Sequence, residues 1–186
     1  SVSGTYQATN AGTYTASCSP DGNHTAPSNQ NWTMNKVNAV CPSQMNNYSG
    51  NYDGNSHGLS ISNDYSGGTL VFRTSPYEAY SSNVRTRTDA GTTWIDIQMN
   101  GDSNHNTVFC GNRNITINKV AATLSCSDKN YNGGNHVACS CSGGSVSGTY
   151  QATNAGTYTA SCTGDANHTN PTNKTWTINK VASSIR

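Results

Sequence analysis

The stretches Trp32-Thr-Met-Asn-Lys-Val37, Ile115-Thr-Ile-Asn-Lys-Val120 and Trp176-Thr-Ile-Asn-Lys-Val181 are three copies of one box. Each alternates apolar and polar residues and then stops at Asn-Lys, the pattern of a half-buried strand running into a short junction. An element that recurs every several dozen residues marks a tandem array, so the box closes a module. Its positions define two complete intervals, 38–120 and 121–181. Residues 1–37 read as the C-terminal part of an incomplete module, because Ser1–Cys18 is identical to Ser145–Cys162. Residues 182–186 read as the start of a following module, and the Asn-Lys-Val tail of the box as the hinge between modules.

The repeat divides a chain of 186 residues into modules near the small end of what folds alone, which calls for covalent staples. Charged residues are only 10% of the chain and the net charge is +1, so no basic face is available for nucleic acid or anionic lipid. No apolar run approaches a membrane span, and the first residues carry no charged-then-apolar signal segment. Any export signal or anchor is expected outside 1–186. The Asn-, Thr-, Ser-, Gly- and Tyr-rich composition, with turn signals at short intervals, predicts an all-β fold with no helix. Seven cysteines in small modules point to an oxidising, extracellular or cell-surface setting. Zinc fails on spacing, since Cys139-Ser-Cys141 is the one close pair.

Within 121–181, the expected strands are Ala121–Cys126, His136–Ser142, Ser145–Thr153, Thr157–Cys162 and Lys174–Asn179. Asn130-Tyr-Asn-Gly-Gly134 forms the expected turn. In the element Asn154-Ala-Gly-Thr-Tyr-Thr-Ala160, also present as Asn10–Ala16, a turn and a Gly precede a Tyr that enters a strand. The tyrosine corner of immunoglobulin-like sandwiches has this form, and an ordinary hairpin turn accounts for the same residues. The middle module has a variant, Asp89-Ala-Gly-Thr-Thr-Trp94, with Thr93 at the Tyr position.

Gly148–Ala160, the Gly164-Asp-Ala-Asn167 loop and Trp176–Lys180 resemble the immunoglobulin-like tandem repeats of large bacterial cell-surface and secreted adhesin-type proteins, especially those of gut Firmicutes. Tyr52–Leu59 and Asp89–Thr93 make the middle module similar to a longer variant. The resemblance implies tandem immunoglobulin-like β-sandwich modules that act as stalks or spacers and carry no catalytic residues.

Aligning the two complete modules puts Leu59 and Ile61 near Cys139 and Cys141, and Ile97 at Cys162. A disulfide thus replaces an aliphatic contact, in the manner of the inter-sheet bridge of immunoglobulin domains. Four cysteines allow three pairings. The expected ones are Cys141 with Cys162 and Cys126 with Cys139, the latter placed symmetrically about the Asn132-Gly133 turn. Cys41, in the first strand of the middle module, and Cys110 are expected to pair across a long loop. Cys18 is left over, its partner expected outside the fragment or in another chain.

The loops Asp21-Gly-Asn-His-Thr25, Asp102-Ser-Asn-His-Asn106 and Asp165-Ala-Asn-His-Thr169 repeat Asp-x-Asn-His. Alternating oxygens suit calcium, but Thr107 stands where the calcium-loop motif needs Gly and no carboxylate arrives at its twelfth position. Asx-turns explain the same residues, so no metal is expected. Three of five histidines repeat with this loop, which argues against catalysis. No nucleophile elbow, His-Glu-x-x-His pair or phosphate loop is present, so neither enzyme activity nor a cofactor is expected. Asn23, Asn31, Asn47, Asn114, Asn167 and Asn173 match the glycosylation acceptor pattern, which an Asn- and Thr-rich chain produces by chance. Lys36, Lys119 and Lys180 are candidates for a covalent Lys–Asn bond, which needs a buried lysine; strand exits favour solvated junction residues instead.

Tyr48, Tyr52, Tyr65, Tyr77, Tyr80 and Trp94 concentrate rings in the middle module. Of these, Tyr77, Tyr80 and Trp94 are the candidate ligand contacts, since rings stack on apolar sugar faces. The bland account is that the rings cover a thin sandwich or fill joints. The expected function is a structural spacer of an extracellular fibre or adhesin, whose partners are neighbouring modules of the same or an identical chain. The alternative is a module that binds host or surface glycans through the aromatics of 38–120.

Overall fold

The computed structural model describes residues 1–183; the expected start of a following module at 182–186 lies mostly outside them. Among the described residues every regular element is a β-strand. The chain forms two compact units. One comprises Ser1–Tyr48, Gly58–Thr86 and Thr93–Ile115, and the other comprises Ser49–His57, Arg87–Thr92 and the chain from Thr116 onward.

The second unit holds a four-stranded sheet in the order Lys129–Asn130, Lys174–Asn179, Gly156–Gly164, Gly144–Gly148. Its first pair is parallel and the others are antiparallel. A ribbon of Thr123–Cys126 and Cys139–Ser142 packs on this sheet. From the ribbon side Ala122, Leu124, Ala138 and Cys139 meet Ala160, Cys162, Trp176 and Ile178 of the sheet in one buried cluster. Strand alternation produces this face: in Gly156–Gly164 the buried residues are Ala160 and Cys162, with more exposed ones between.

Several strands are more broken than the sequence suggests. The expected Ala121–Cys126 strand divides at Ala122, because Val120–Ala121 pairs parallel with His168–Thr169 while Thr123–Cys126 turns to the ribbon. His136–Ser142 divides likewise. His136–Val137 pairs with Gln151–Ala152, and Cys139–Ser142 with Thr123–Cys126. Residues between Cys126 and Cys139 therefore form no simple hairpin, since Lys129–Asn130 leaves to join the larger sheet.

In the first unit, Val2–Gly4, Gly12–Cys18 and Gln30–Met34 form a three-stranded antiparallel sheet. The same unit holds an antiparallel pairing of Asp96–Gly101 with Gly68–Arg73. Ile97 lies opposite Phe72 and Met99 opposite Leu70. With Ile95 these are buried, as the alternating run Trp94-Ile-Asp-Ile-Gln-Met99 requires. Cys41 lies outside any strand, next to Val40, which bridges to Ser66.

Three disulfides close the fold: Cys41–Cys110, Cys126–Cys139 and Cys141–Cys162. Cys126 and Cys139 are direct register partners, and Cys141–Cys162 ties the ribbon to the sheet. By loop-closure entropy the first contributes about 4 kcal/mol and each of the others about 3 kcal/mol. Cys18 is an exposed free thiol.

Candidate functional site

The three Asp-x-Asn-His loops fold alike. In each, the Asp carboxylate accepts the backbone N–H of the Asn two residues on, at 2.9 Å for Asp21, 2.8 Å for Asp102 and 2.8 Å for Asp165. The same oxygen accepts a hydrogen bond from the His Nδ1, at 2.5, 2.6 and 2.6 Å. These are Asx-turns with a histidine lock. The histidine bond, followed by the Asn N–H, holds all three carboxyls below their ordinary value of 3.8.

Two of the loops do more. Asn104 Oδ1 accepts the N–H of Ala11 at 2.8 Å, and Asn104 Nδ2 donates to Asn10 Oδ1 at 3.0 Å. In the other unit, Asn167 Oδ1 accepts the N–H of Ala90 at 2.7 Å, and its Nδ2 donates to Asp89 Oδ1 at 3.1 Å. One asparagine thus grips an Asn-Ala-Gly turn, or its Asp-Ala-Gly variant, that lies earlier in the chain.

The tail of the box is gripped as well. Val37 donates its N–H to Asn104 O and Val120 donates to Asn167 O, both at 3.2 Å. Val37–Asn38 runs parallel to His105–Asn106, and Val120–Ala121 runs parallel to His168–Thr169. The tail is a bonded seam rather than a hinge. Alternate backbone amides there, Val37 and Ala39 or Val120 and Ala122, find their acceptors on the returning loop. Lys36 Nζ also donates to Asp102 O at 3.2 Å.

A glycine seats each histidine. Gly67 and Gly143 have φ of +82° and +80°, and a Cβ there would lie 2.7 and 2.6 Å from the rings of His105 and His168. A side chain is excluded by both conformation and space. The carbonyls of the same glycines accept the N–H of Asp102 and Asp165, at 3.1 and 3.0 Å. In the second joint Tyr52 adds an edge-on contact with His168, the ring centroids lying 5.5 Å apart.

Sequence reasoning found the loops and turns but not their pairing. The signal was present: the Asp-x-Asn-His loop, the Asn/Asp-Ala-Gly turn and the Ser-Gly-Gly at 66–68 and 142–144 all recur in step with the box.

The other candidates are dispersed. Tyr14 and Tyr158 donate their hydroxyls to Asn10 O and Asn154 O, at 2.6 and 2.7 Å, which is corner geometry. Tyr77 is 98% exposed and Trp94 61% exposed. Tyr80 stacks under Arg73, whose guanidinium also pairs with Asp96 at 3.1 Å. A cleft of about 300 Å³ lies beside the Gly68–Arg73 strand, lined by Leu59, Ile61, Tyr65, Leu70, Phe72 and Val84 among others. None of the three candidate aromatics lines it.

Among the described residues no three His, Cys, Asp or Glu side chains are grouped for a metal, and no helix is long and apolar enough to cross a membrane. Lys36, Lys119 and Lys180 are exposed, which does not suit a covalent Lys–Asn bond. No protein-family model matches the chain, and no curated protein matches it.

Proposed function

We propose that the chain is a mechanical spacer, a segment of an extracellular fibre or surface adhesin built from tandem immunoglobulin-like β-sandwich modules. The observation that carries this reading is the recurrence of one joint: Asn104 on Ala11 and Val37, Asn167 on Ala90 and Val120. A ligand site has no reason to recur at each module boundary, whereas a device that sets the junction between modules does. The three disulfides support an oxidising setting, and the resemblance to bacterial adhesin repeats points the same way. Concatemers of the whole chain test the reading. In small-angle scattering the maximum dimension should rise by a constant increment per copy, and growth as a compact globule would sink it.

A second reading, a carbohydrate-binding middle module, draws on the exposure of Tyr77 and Trp94. A glycan array decides it: specific retention abolished by Trp94→Ala or Tyr77→Ala would displace the spacer reading for residues 38–120.

A further inference from the structure

An asparagine followed by glycine is the one least shielded from its own backbone, because glycine puts no side chain between the amide carbon and the next nitrogen. The chain holds two such pairs, Asn100-Gly101 and Asn132-Gly133. Their surroundings are opposite. Asn100 sits in the strand Gly91–Gly101, opposite Thr69. Its Oδ1 accepts from Gln98 Nε2 at 2.7 Å, and the Gly101 N–H donates to Thr107 Oγ1 at 3.1 Å. A Cβ on Gly101 would lie 2.2 Å from His105 O, so backbone crowds that glycine. An extended strand projects its side chains away from the chain direction, and here the next nitrogen is engaged elsewhere.

Asn132 lies instead in an irregular, exposed stretch between Lys129–Asn130 and His136–Val137. Gly133 has φ of +83°, and no atom lies within 4 Å of where its Cβ would stand. The Gly134 N–H donates to Asn132 Oδ1 at 2.8 Å. That bond polarises the side-chain carbonyl and sits where negative charge develops on Oδ1 when a nucleophile adds to Cγ, the role of an oxyanion-hole donor. The Gly133 N–H has no hydrogen-bond partner among the described residues. The adjacent nitrogen is therefore free to be that nucleophile.

We propose that Asn132 is a site of spontaneous covalent modification, deamidation through a succinimide. The Gly133 nitrogen adds to Asn132 Cγ and its proton passes through solvent to Nδ2. The Cγ–Nδ2 bond breaks and ammonia leaves. Water then opens the five-membered imide at either carbonyl, giving aspartate or isoaspartate; nothing is oxidised or reduced, and water is the only co-reactant. The product carries one more negative charge, and in isoaspartate the main chain runs through the side chain and gains a methylene. The Cys126–Cys139 bridge closes the loop around this point, so both halves of the turn stay tethered. The Asp-Gly pairs Asp21-Gly22 and Asp53-Gly54 reach the same imide only from a neutral carboxyl. Their histidine bonds hold both carboxyls low, Asp53 at about 2, so near neutral pH they stay ionised and unreactive.

The chemistry needs only this turn, whatever task the modules perform. The test ages the full, disulfide-bonded chain in neutral and mildly alkaline buffer made with heavy-oxygen water, and maps it by mass spectrometry with fragmentation that separates isoaspartate from aspartate. Asn132 is expected to convert to both products, each carrying one oxygen from water, at least about tenfold faster than Asn100. The rate should rise with pH, because the attacking nitrogen must lose its proton. In urea, where no ladder holds Asn100, the difference between the two pairs should disappear. Equal rates at Asn100 and Asn132 in the folded protein overturn the proposal. So does an Asn132 that stays intact when folded but converts in urea, and so does aspartate without isoaspartate, which is direct hydrolysis rather than attack by Gly133.

Discussion

Ser1–Cys18 and Ser145–Cys162 are the same sequence in two surroundings. Their backbones agree: Val2 opposes Cys18 as Val146 opposes Cys162, and Tyr14 opposes Trp32 as Tyr158 opposes Trp176. The Tyr–Trp ring centroids are 4.9 Å apart in both, tilted by 32° and 34°. Trp32 Nε1 donates to Thr5 O at 2.8 Å and Trp176 Nε1 to Thr149 O at 2.7 Å. Burial differs. Trp176 is 1% exposed and Ala160 and Cys162 are buried, whereas Trp32 and Ala16 are half-buried and Cys18 is exposed. The ribbon of Thr123–Cys126 and Cys139–Ser142 covers the second sheet, and within 1–37 no ribbon covers the first. Local sequence sets strand, register and corner; a core needs the opposite layer.

The largest test of that contrast is truncation of the two tryptophans. Trp176→Ala opens a cavity in a closed cluster and should cost about 3–5 kcal/mol. Trp32→Ala removes a ring that water already reaches and should cost less than about half of that. Urea unfolding of the full chain, with hydrogen exchange read separately in 12–34 and 156–178, measures both. Equal losses would mean that the two sheets are covered alike.

Cysteine provides the next test. Cys141→Ala with Cys162→Ala removes a link of sequence separation 21 and should cost about 3 kcal/mol. Cys18→Ala should leave the melting temperature within error in calorimetry of the monomer, since that thiol is exposed and unpaired. A large effect of Cys18→Ala would show a buried role for it.

The joints extend the comparison to loops. Asn167→Ala leaves the Ala90 N–H without its acceptor and should raise local opening by about 1–2 kcal/mol, seen as amide exchange at Ala90 faster by about tenfold or more. Asn104→Ala should do the same at Ala11. Asn23→Ala should leave both of these amides unchanged, because their acceptors are Asn104 and Asn167.

What the sequence made legible follows from the range of each interaction. The all-β composition, the closing strand Lys174–Asn179 and the inward run Ile95, Ile97, Met99 are periodic signals carried by adjacent residues. Cys126 and Cys139 sit symmetrically about Asn132-Gly133, and the structure pairs them. The broken strands and the joint were not legible, because each depends on which distant backbone supplies a hydrogen bond. The Val120 N–H finds Asn167 O across 47 residues (167 − 120), and no local pattern encodes that partner. The Asp-x-Asn-His loops read correctly as Asx-turns, but a turn satisfied within itself gives no hint that its asparagine also reaches outward.

Acid titration separates the loop's own chemistry from the joint, with the smallest effect of the four. Asp21, Asp102 and Asp165 are all lowered, each first by its histidine bond and then by the Asn N–H. Asp53, bonded first by His57 and then by the Asn55 N–H, is lowered to about 2 from 3.8. A depressed carboxyl stabilises the fold above its unfolded value, and that stability is lost as pH falls through the folded value. For Asp53 the loss therefore lies between about pH 4 and about pH 2. Because Asp21 is lowered by bonds within its own loop, from His24 and the Asn23 N–H, the cause is local and all three loop carboxyls should titrate below 3.8 in a carboxyl-carbon NMR titration. His24→Ala should raise Asp21 toward its ordinary value, as His105→Ala should for Asp102, while Asn104→Ala should move Asp102 little, since its Asn N–H remains. If Asp102 and Asp165 were lowered and Asp21 were not, docking rather than the turn would set the charge state, and the joint would loosen in acid before the loop did.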